Sequence, residues 1–453
     1  MTRIASTSSG AARALTVFVL AFFAASAEAN NAPPAALRRA VARTLSSEGL
    51  DSSRVIEPWV QQDKLVAGDG ADGDRFGVAV AVEGDTALVG ALLANVDGNA
   101  AQGAVYVFVR SGDAWIVDTK LTADDGQAFD RFGASVAMDG DTALVGAWGA
   151  AGSRGAAWVF TRAGGVWAQQ GRLAADDGAV MDFFGESVAL DGDTALIGAW
   201  GCDIGGHNEQ GAAYVFTRSD GVWTEVHKFV ADDGEANDSF GQSVALSGDA
   251  ALIPSRFAKV GDNFLQGAVY ASTRADGDWS ALTKLAAADG APLDRFGFSI
   301  AADGNSAVIG ALGGNEDRGA AYVFTRSEQG WIEQAKLGAS DGVEFDDFGQ
   351  RVGIDGNRVI VGADFAAVDG RALQGAAYVF TRSGDTWSEE SKLVAEDGAE
   401  NDSFGIAVAI DGGNALVGSW LADVDGIADH GAAYLFELPM PDAIFADGFD
   451  PLN

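Results

Sequence analysis

The sequence predicts an all-β fold, a seven-bladed β-propeller with four strands in each blade. Composition is the first observation, because 61 glycines and only 8 prolines among 453 residues suit many short strands joined by tight turns. The second is an internal repeat with a propeller-like period of 52 or 56 residues. It is marked by seven Phe-Gly dipeptides, which begin at Phe76, Phe132, Phe184, Phe240, Phe296, Phe348 and Phe404.

Each repeat contains four segments with strand character, named A to D in chain order. In the second repeat they are residues 132–138, 143–147, 155–160 and 167–173. Strand A alternates larger and smaller apolar residues, as expected for a strand covered on both faces, so we place it nearest the propeller axis. Strand D begins with Trp and carries Lys or Arg five residues later, a charge that discourages pairing between sheet edges.

The two ends of the repeat array predict how the ring closes. Residues 59–65 have the sequence of a D strand although no blade precedes them. The last repeat, residues 404–438, lacks a D strand. We therefore predict that an N-terminal strand within residues 55–66 completes the seventh blade.

The residues outside the array predict an exported protein. Arg3 and Arg13 precede an apolar run at residues 15–25, and a small-x-small site ends at Ala29, so residues 1–29 are predicted to be a signal peptide. Residues 30–54 form a leader with a predicted short helix, residues 55–438 form the propeller, and residues 439–453 form a tail. We expect a secreted or cell-surface protein without a transmembrane anchor. The single cysteine, Cys202, excludes an intramolecular disulfide.

The net charge of −36 limits the classes of partner. So acidic a chain repels nucleic acid and anionic lipid, whereas cations and basic surfaces stay compatible with it. We expect a monomer that binds an extracellular protein or glycan and does not bind nucleic acid.

The repeat resembles the FG-GAP repeat of integrin α-subunit propellers. Phe-Gly opens strand A, Val-Gly-Ala closes strand B, and Gly-Ala-Ala-Tyr-Val-Phe forms strand C. The likeness is closest to the bacterial variety, in which Trp-x4-Lys-Leu leads through Asp-Gly into Asp-x-Phe-Gly, as at Trp387, Asp397 and Asp402. The resemblance covers residues 55–438 and implies a secreted or surface-bound binding and adhesion module.

Calcium binding is left open. Integrin-like repeats carry an Asp-x-Asp-x-Asp-Gly loop between strands A and B, where this chain has only tight turns such as Asp139-Gly140-Asp141. An aspartate instead stands two residues before each Phe-Gly, and it either caps a turn or contributes to a calcium site. These candidate metal ligands are Asp74, Asp130, Asp182, Asp238, Asp294, Asp346 and Asp402.

The loops at one end of the ring provide candidate ligand-binding residues. The B-to-C loops and the D-to-A entry loops share that end, and the seven entry loops carry 23 Asp and Glu residues. Tryptophans beside carboxylates suit sugar or peptide binding, although they could instead pack beneath the loops. The candidates are Trp148, Trp200 and Trp420 after strand B, and Asp97, Asp369 and Asp425 in Val-Asp-Gly turns.

No catalytic constellation is recognisable in the sequence. His207, His227 and His430 are the only histidines, and no paired-cysteine, Gly-x-Ser-x-Gly or phosphate-loop motif occurs. We predict a binding or adhesion module, not an enzyme, that uses the acidic loop end to bind protein or glycan. Two alternatives remain: a secreted, glycosidase-like hydrolase that uses carboxylates, and a structural component of an envelope or matrix.

Overall fold

The computed structural model describes residues 59–438, and residues 61–437 form one compact unit. The other unit comprises residues 1–60 and 438–453, of which only Trp59, Val60 and Leu438 are described. The predicted signal peptide, leader and tail therefore lie outside the described residues. The described chain forms seven antiparallel sheets, which confirms the prediction of an all-β, seven-bladed propeller.

The first three blades are regular four-stranded sheets. Blade 1 contains β2 (Phe76–Glu83), β3 (Thr86–Ala91), β4 (Ala104–Ser111) and β5 (Ala114–Leu121). Blade 2 contains β6 (Ser135–Asp139), β7 (Thr142–Ala147), β8 (Ala156–Ala163) and β9 (Val166–Leu173). Blade 3 contains β10 (Val188–Asp191), β11 (Thr194–Ala199), β12 (Ala212–Ser219) and β13 (Val222–Phe229).

The remaining blades include one interrupted and one composite sheet. Blade 4 contains β14 (Ala245–Ser247), β15 (Ala250–Ser255), β16 (Ala268–Ala275), β17 (Asp278–Trp279) and β18 (Thr283–Leu285). Blade 5 contains β19 (Phe296–Asp303), β20 (Ser306–Ala311), β21 (Ala320–Ser327) and β22 (Gly330–Leu337). Blade 6 contains β23 (Val352–Asp355), β24 (Arg358–Ala363), β25 (Ala376–Ser383) and β26 (Thr386–Leu393). Blade 7 contains β27 (Phe404–Asp411), β28 (Asn414–Ser419), β29 (Ala432–Glu437) and β1 (Val60–Leu65).

The composite blade 7 closes the ring as predicted. Strand β1 pairs with β29, so the sheet runs β1-β29-β28-β27. Leu65 is buried in a core cluster that also contains Ala433 and Leu435 of blade 7 and Phe76 of blade 1. Closure by β1 therefore pairs the edge of β29 that would otherwise be open and adds core packing without a disulfide.

The outer strand of blade 4 is broken because its neighbour lacks the usual side chains. Where the other C strands have Val-Phe, or Leu-Phe in blade 7, β16 has Ala271-Ser272. The Ser272 hydroxyl donates to the backbone oxygen of Ser280, and the Ser280 hydroxyl accepts from the Thr273 amide. Side-chain hydrogen bonds thus replace the strand ladder between β17 and β18.

The A strands line the axis and the B strands are sealed between sheets. Residues from the A-strand segments of all seven blades surround an axial channel of about 390 Å³. Every residue of β3, β7 and β11 is buried, consistent with their nearly continuous apolar sequence. This confirms the predicted position of strand A.

Phe-Gly ties each blade to its predecessor. The Phe132 ring is fully buried, with its centroid 5.7 Å from that of Trp158, and its amide donates to the Gln102 carbonyl of blade 1. Gly133 has φ +87°, and a Cβ there would lie 2.6 Å from the Ala104 carbonyl oxygen. The glycine is therefore required by both backbone conformation and close approach.

Two sevenfold sets of polar contacts complete the framework. At the end of the ring that carries the A-to-B and C-to-D turns, here called the turn face, one side chain per blade accepts a hydrogen bond from a glycine amide of the next blade. The pairs are Glu83 with Gly140, Asp139 with Gly192, Asp191 with Gly248, Ser247 with Gly304, Asp303 with Gly356, Asp355 with Gly412 and Asp411 with Gly84.

In the second set, the strand-D cation binds an aspartate of the entry loop. Lys120 Nζ lies 2.8 Å from Asp69 Oδ2, and the Tyr106 hydroxyl donates to Oδ1 over 2.6 Å. Burial alone would raise the pKa of Asp69, but the hydrogen bonds from Lys120 and Tyr106 hold it below its usual value. In blade 7 the same contact joins Lys64 of β1 to Asp397, so the closing strand also supplies the missing cation.

Helical structure is nearly absent from the described chain. The B-to-C loops of blades 2 and 5 contain the four-residue helical turns α1 (Ala150–Ser153) and α2 (Gly314–Asp317). Neither these turns nor any other helix within residues 59–438 is long and apolar enough to span a membrane.

Candidate functional site

The aspartates before each Phe-Gly are buried turn caps. Asp130 Oδ2 accepts a hydrogen bond of 2.8 Å from the Gln127 amide, and burial raises the pKa of Asp130 while this bond opposes the rise. The same bond, from the amide three residues earlier, occurs at Asp74, Asp182, Asp238, Asp294, Asp346 and Asp402. The structure thus shows the capping arrangement, and calcium binding by these residues stays a prediction.

The exposed aspartates of the B-to-C loops occupy two-residue turns. Asp97 has φ +50° and Gly98 φ +89°, between Val96 and Asn99, whose backbones exchange two hydrogen bonds. Asp369 and Asp425 have equivalent conformations. Their role in ligand binding stays a prediction; within residues 59–438, no group of three or more His, Cys, Asp or Glu side chains is placed to hold a metal ion.

The structure brings two of the three candidate tryptophans together. Phe183 stacks on Trp200 at 4.7 Å between centroids and meets the edge of Trp148 at 5.7 Å. The guanidinium group of Arg131 lies over the Trp148 ring, 4.0 Å from its centroid. Trp420 is held separately, with Arg75 4.5 Å from its centroid. All three tryptophans are half-buried and directly follow strand B at the loop-bearing end, here called the loop face.

Four large apolar side chains project from the loop face in a way the sequence did not reveal. They occupy the same entry-loop position, immediately before the capping aspartate, and are 45–66% exposed. Their backbones are left-handed, with φ between +68° and +75°, a conformation uncommon outside glycine and asparagine. This apolar rim consists of Phe129, Met181, Leu293 and Phe345.

The apolar rim is held in place by backbone contacts. The Phe129 amide donates to the Ala100 carbonyl and the Leu293 amide to the Phe264 carbonyl, each in the B-to-C loop of the preceding blade. Phe264 is itself 55% exposed, so it extends the apolar surface beside Leu293. The exposed side chains therefore lie on loops with a fixed backbone, in which every capping aspartate forms its hydrogen bond.

The axial channel carries a second group of functional candidates. Its lining is polar in blades 3, 4 and 6 and mainly apolar in blades 1, 2 and 7. The polar residues that sequence reasoning missed are Glu186, Gln242, Gln350 and Arg351, together with Arg256, which enters from the end of β15. Comparing the two residues after each Phe-Gly would have singled out the first four, because the remaining positions carry Val, Ile, Ala, Ser or Phe.

The electrostatics of this group are unusual for so acidic a chain. Burial, together with repulsion by Arg351 and Arg295, lowers the pKa of Arg256 to about 10, although Glu186 opposes the shift. Arg351 is accessible from the channel but surrounded by protein, and this desolvation lowers its pKa as well. Nearby, burial raises the pKa of Asp364 to about 7. The channel thus contains two guanidinium groups, those of Arg256 and Arg351, whose positive charges are poorly neutralised.

The histidines and the cysteine make separate local contacts. His207 Nδ1 lies 3.0 Å from the Gly234 carbonyl, and His430 Nδ1 lies 2.9 Å from the Gly431 carbonyl. His227 packs against Phe229 on the outer strand. Cys202 is buried beside the Tyr214 hydroxyl, and burial raises the pKa of its thiol to about 12.

Comparison with known proteins identifies the repeats. A family model described as FG-GAP repeat matches residues 59–108, 115–160, 167–216, 223–271, 279–324, 331–380 and 387–436. A comparison with curated proteins finds no match. Each matched segment begins with a D strand and ends with the C strand of the following blade, in agreement with the Phe-Gly geometry described above. The chain therefore belongs to the FG-GAP repeat family.

Proposed function

We propose that this protein is an extracellular binding or adhesion module that binds a partner protein through the loop face. The observation that carries the proposal is the apolar rim, Phe129, Met181, Leu293 and Phe345, whose large side chains stand exposed on a rigid framework. Non-glycine residues in the left-handed region cost roughly 1–3 kcal/mol each. A cost repeated in four blades favours a role in which the exposed side chains become buried against a partner.

The negative charge of the loop face supports a partner protein with a basic surface. The entry loops carry 23 carboxylates; seven are the buried turn caps and seven bind the strand-D cations, which leaves nine to surround the apolar rim. An apolar centre with a charged surround is the usual anatomy of a protein interface, and complementary charge steers the encounter. The partner is therefore a protein with exposed aromatic or aliphatic residues beside Lys and Arg. Export from the cell, which the FG-GAP family and the N-terminal sequence support, would place the loop face where such partners occur.

A substitution that the chain already uses tests this function. Blades 4 and 7 carry Asn237 and Asn401 at the rim position, with φ +67° and +71°. Replacing all four rim residues by Asn should preserve folding, since Asn tolerates this backbone conformation. Intact protein should select peptides of about 12 residues rich in aromatic and basic side chains from a random display library. The four-Asn variant should bind the selected peptides at least about tenfold more weakly.

The matched control replaces exposed apolar residues elsewhere. Val166 and Val222 are 68% and 64% exposed on outer strands, and Val166→Thr with Val222→Thr should leave peptide affinity unchanged. Equal binding by the wild-type protein and the four-Asn variant, with unchanged melting temperatures, would exclude the apolar rim as the contact surface.

A further inference from the structure

The axial channel contains buried polar atoms that no protein group satisfies. Within residues 59–438, Nε of Arg256 and Oε1 of both Gln242 and Gln350 have no hydrogen-bond partner. All three residues line the channel. Because buried polar groups in folded proteins are nearly always paired, three orphan atoms in the wall of one channel indicate side chains that would turn toward a polar ligand. The volume of about 390 Å³ lies within the roughly 300–1,000 Å³ typical of small-molecule sites.

The guanidinium groups of Arg256 and Arg351 are held in position, but their positive charges are not neutralised. Arg256 lies 4.5 Å and 4.9 Å from the centroids of Phe257 and Phe298, which hold its guanidinium plane. Glu186 attracts Arg256, and Asp364 and Glu186 attract Arg351, but within residues 59–438 none of these carboxylates forms an ion pair with either arginine. The Arg351 Nη1 atom donates only to the neighbouring Gln350 carbonyl. Both guanidinium groups therefore retain donors that an anion would satisfy.

The acidic group closest in the channel is already engaged. Glu186 Oε2 accepts a hydrogen bond of 2.5 Å from Trp200 Nε1, and Oε1 lies 3.4 Å from Gln242 Nε2. Asp364 is 1% exposed, and burial shifts its pKa to about 7, so its charge at neutral pH is only partial. Two cations thus face one engaged carboxylate, and the channel favours a ligand with negative charge.

We propose that the axial channel binds a small hydroxylated carboxylate of the uronic-acid type. Its carboxylate binds between Arg256 and Arg351, because guanidinium groups match the planar geometry of a carboxylate. Its hydroxyl groups bind the side-chain amides of Gln242 and Gln350, whose unpaired Oε1 atoms become acceptors when these amides turn from the wall into the channel. The aromatic group of Phe298 and the valine side chains opposite supply the apolar surface that sugar rings contact. This site is distinct from the apolar rim and binds its ligand independently.

Calorimetric titration of the intact protein tests the site with three probes: sodium D-glucuronate, D-glucose and sodium acetate. Glucuronate should bind, and glucose and acetate should each bind at least about tenfold more weakly, since one lacks the charge and the other lacks the hydroxyl groups. Arg351→Gln and Arg256→Gln should each weaken glucuronate binding roughly 10- to 100-fold. Gln350→Ala should weaken glucuronate but not acetate.

The matched control is Arg318→Gln, which removes the same charge from an exposed position in the blade 5 loop and should leave affinity unchanged. Arg351 is accessible, so Arg351→Gln should fold even if Arg256→Gln does not. Three outcomes would overturn the proposal: no glucuronate binding at millimolar concentration, equal binding of acetate, or full affinity in a folded Arg351→Gln variant. Loss of peptide binding in the four-Asn variant with glucuronate affinity intact would separate this site from the apolar rim.

Discussion

The two ends of the propeller differ in how strictly they repeat. At the turn face, all seven blades make the same bond between an acceptor side chain and a glycine of the next blade, even where Ser247 replaces a carboxylate. At the loop face, the residue after strand B is of four types with unrelated chemistry: Leu92 and Leu312, Trp148, Trp200 and Trp420, Arg256, and Asp364. The positions that maintain the ring are thus confined to side chains that accept a hydrogen bond. Residues at the loop face are free to vary and so can come to bind a ligand.

The largest effect should come from breaking the repeating framework itself. Deletion of residues 60–66 removes β1, the buried Leu65 and the ion pair between Lys64 and Asp397. We expect the melting temperature to fall by about 10 °C or more, because blade 7 loses its outer strand and part of its core. Differential scanning calorimetry measures the change.

A peptide with the sequence of residues 59–66 should restore the melting temperature of this deletion variant, since it supplies the missing strand. An unchanged melting temperature after deletion would show that closure by β1 contributes little to the ring.

A smaller loss of stability should distinguish Gly133, at the start of strand A, from Gly140, at the turn face. Gly133→Ala places a methyl group 2.6 Å from the Ala104 carbonyl oxygen, whereas the same change at Gly140, in a tight turn, meets nothing within 4 Å. Both residues have positive φ, so they share the conformational cost of roughly 1–2 kcal/mol. Gly133→Ala should cost several kcal/mol in all, by addition of steric overlap. Urea unfolding of the two variants would contradict this if their free energies of unfolding fell equally.

The smallest effect concerns Asp364, one of the varied loop-face positions. Its pKa in the folded protein is raised to about 7 by burial, above that of an unfolded aspartate, so the folded state binds the extra proton. Stability conferred by the protonated form is therefore lost as pH rises from about 4 to about 7. Asp364→Asn should stabilise the protein relative to wild type at pH 8 by an amount on the order of a few kcal/mol, and much less at pH 4.

The control for this prediction is Asp425→Asn, which alters an exposed turn. Thermal melts of the three proteins across this pH range suffice. A constant difference between wild type and Asp364→Asn at all pH values would show that the carboxyl is not buried in its protonated form.

The sequence was sufficient for the framework because each framework residue recurs seven times. Phe-Gly, the Trp-to-Leu outer strand and the unmatched segment at residues 59–65 predicted the blades and their closure. The functional candidates do not recur: Glu186, Arg256 and Arg351 stand where single repeats depart from the pattern, and only the structure shows that they meet around the axis. The exposure of Phe129 was equally hidden, because a phenylalanine in sequence is expected to be buried.

The offset between repeat and blade has a consequence for how such a ring could change size. Each FG-GAP segment contributes the outer strand of one blade and the three inner strands of the next. Duplication or loss of one whole segment would therefore leave every sheet with four strands, and β1 would still complete the last blade. Growth by gene duplication can thus alter the width of the axial channel, and hence the size of its ligand, without passing through an unpaired strand.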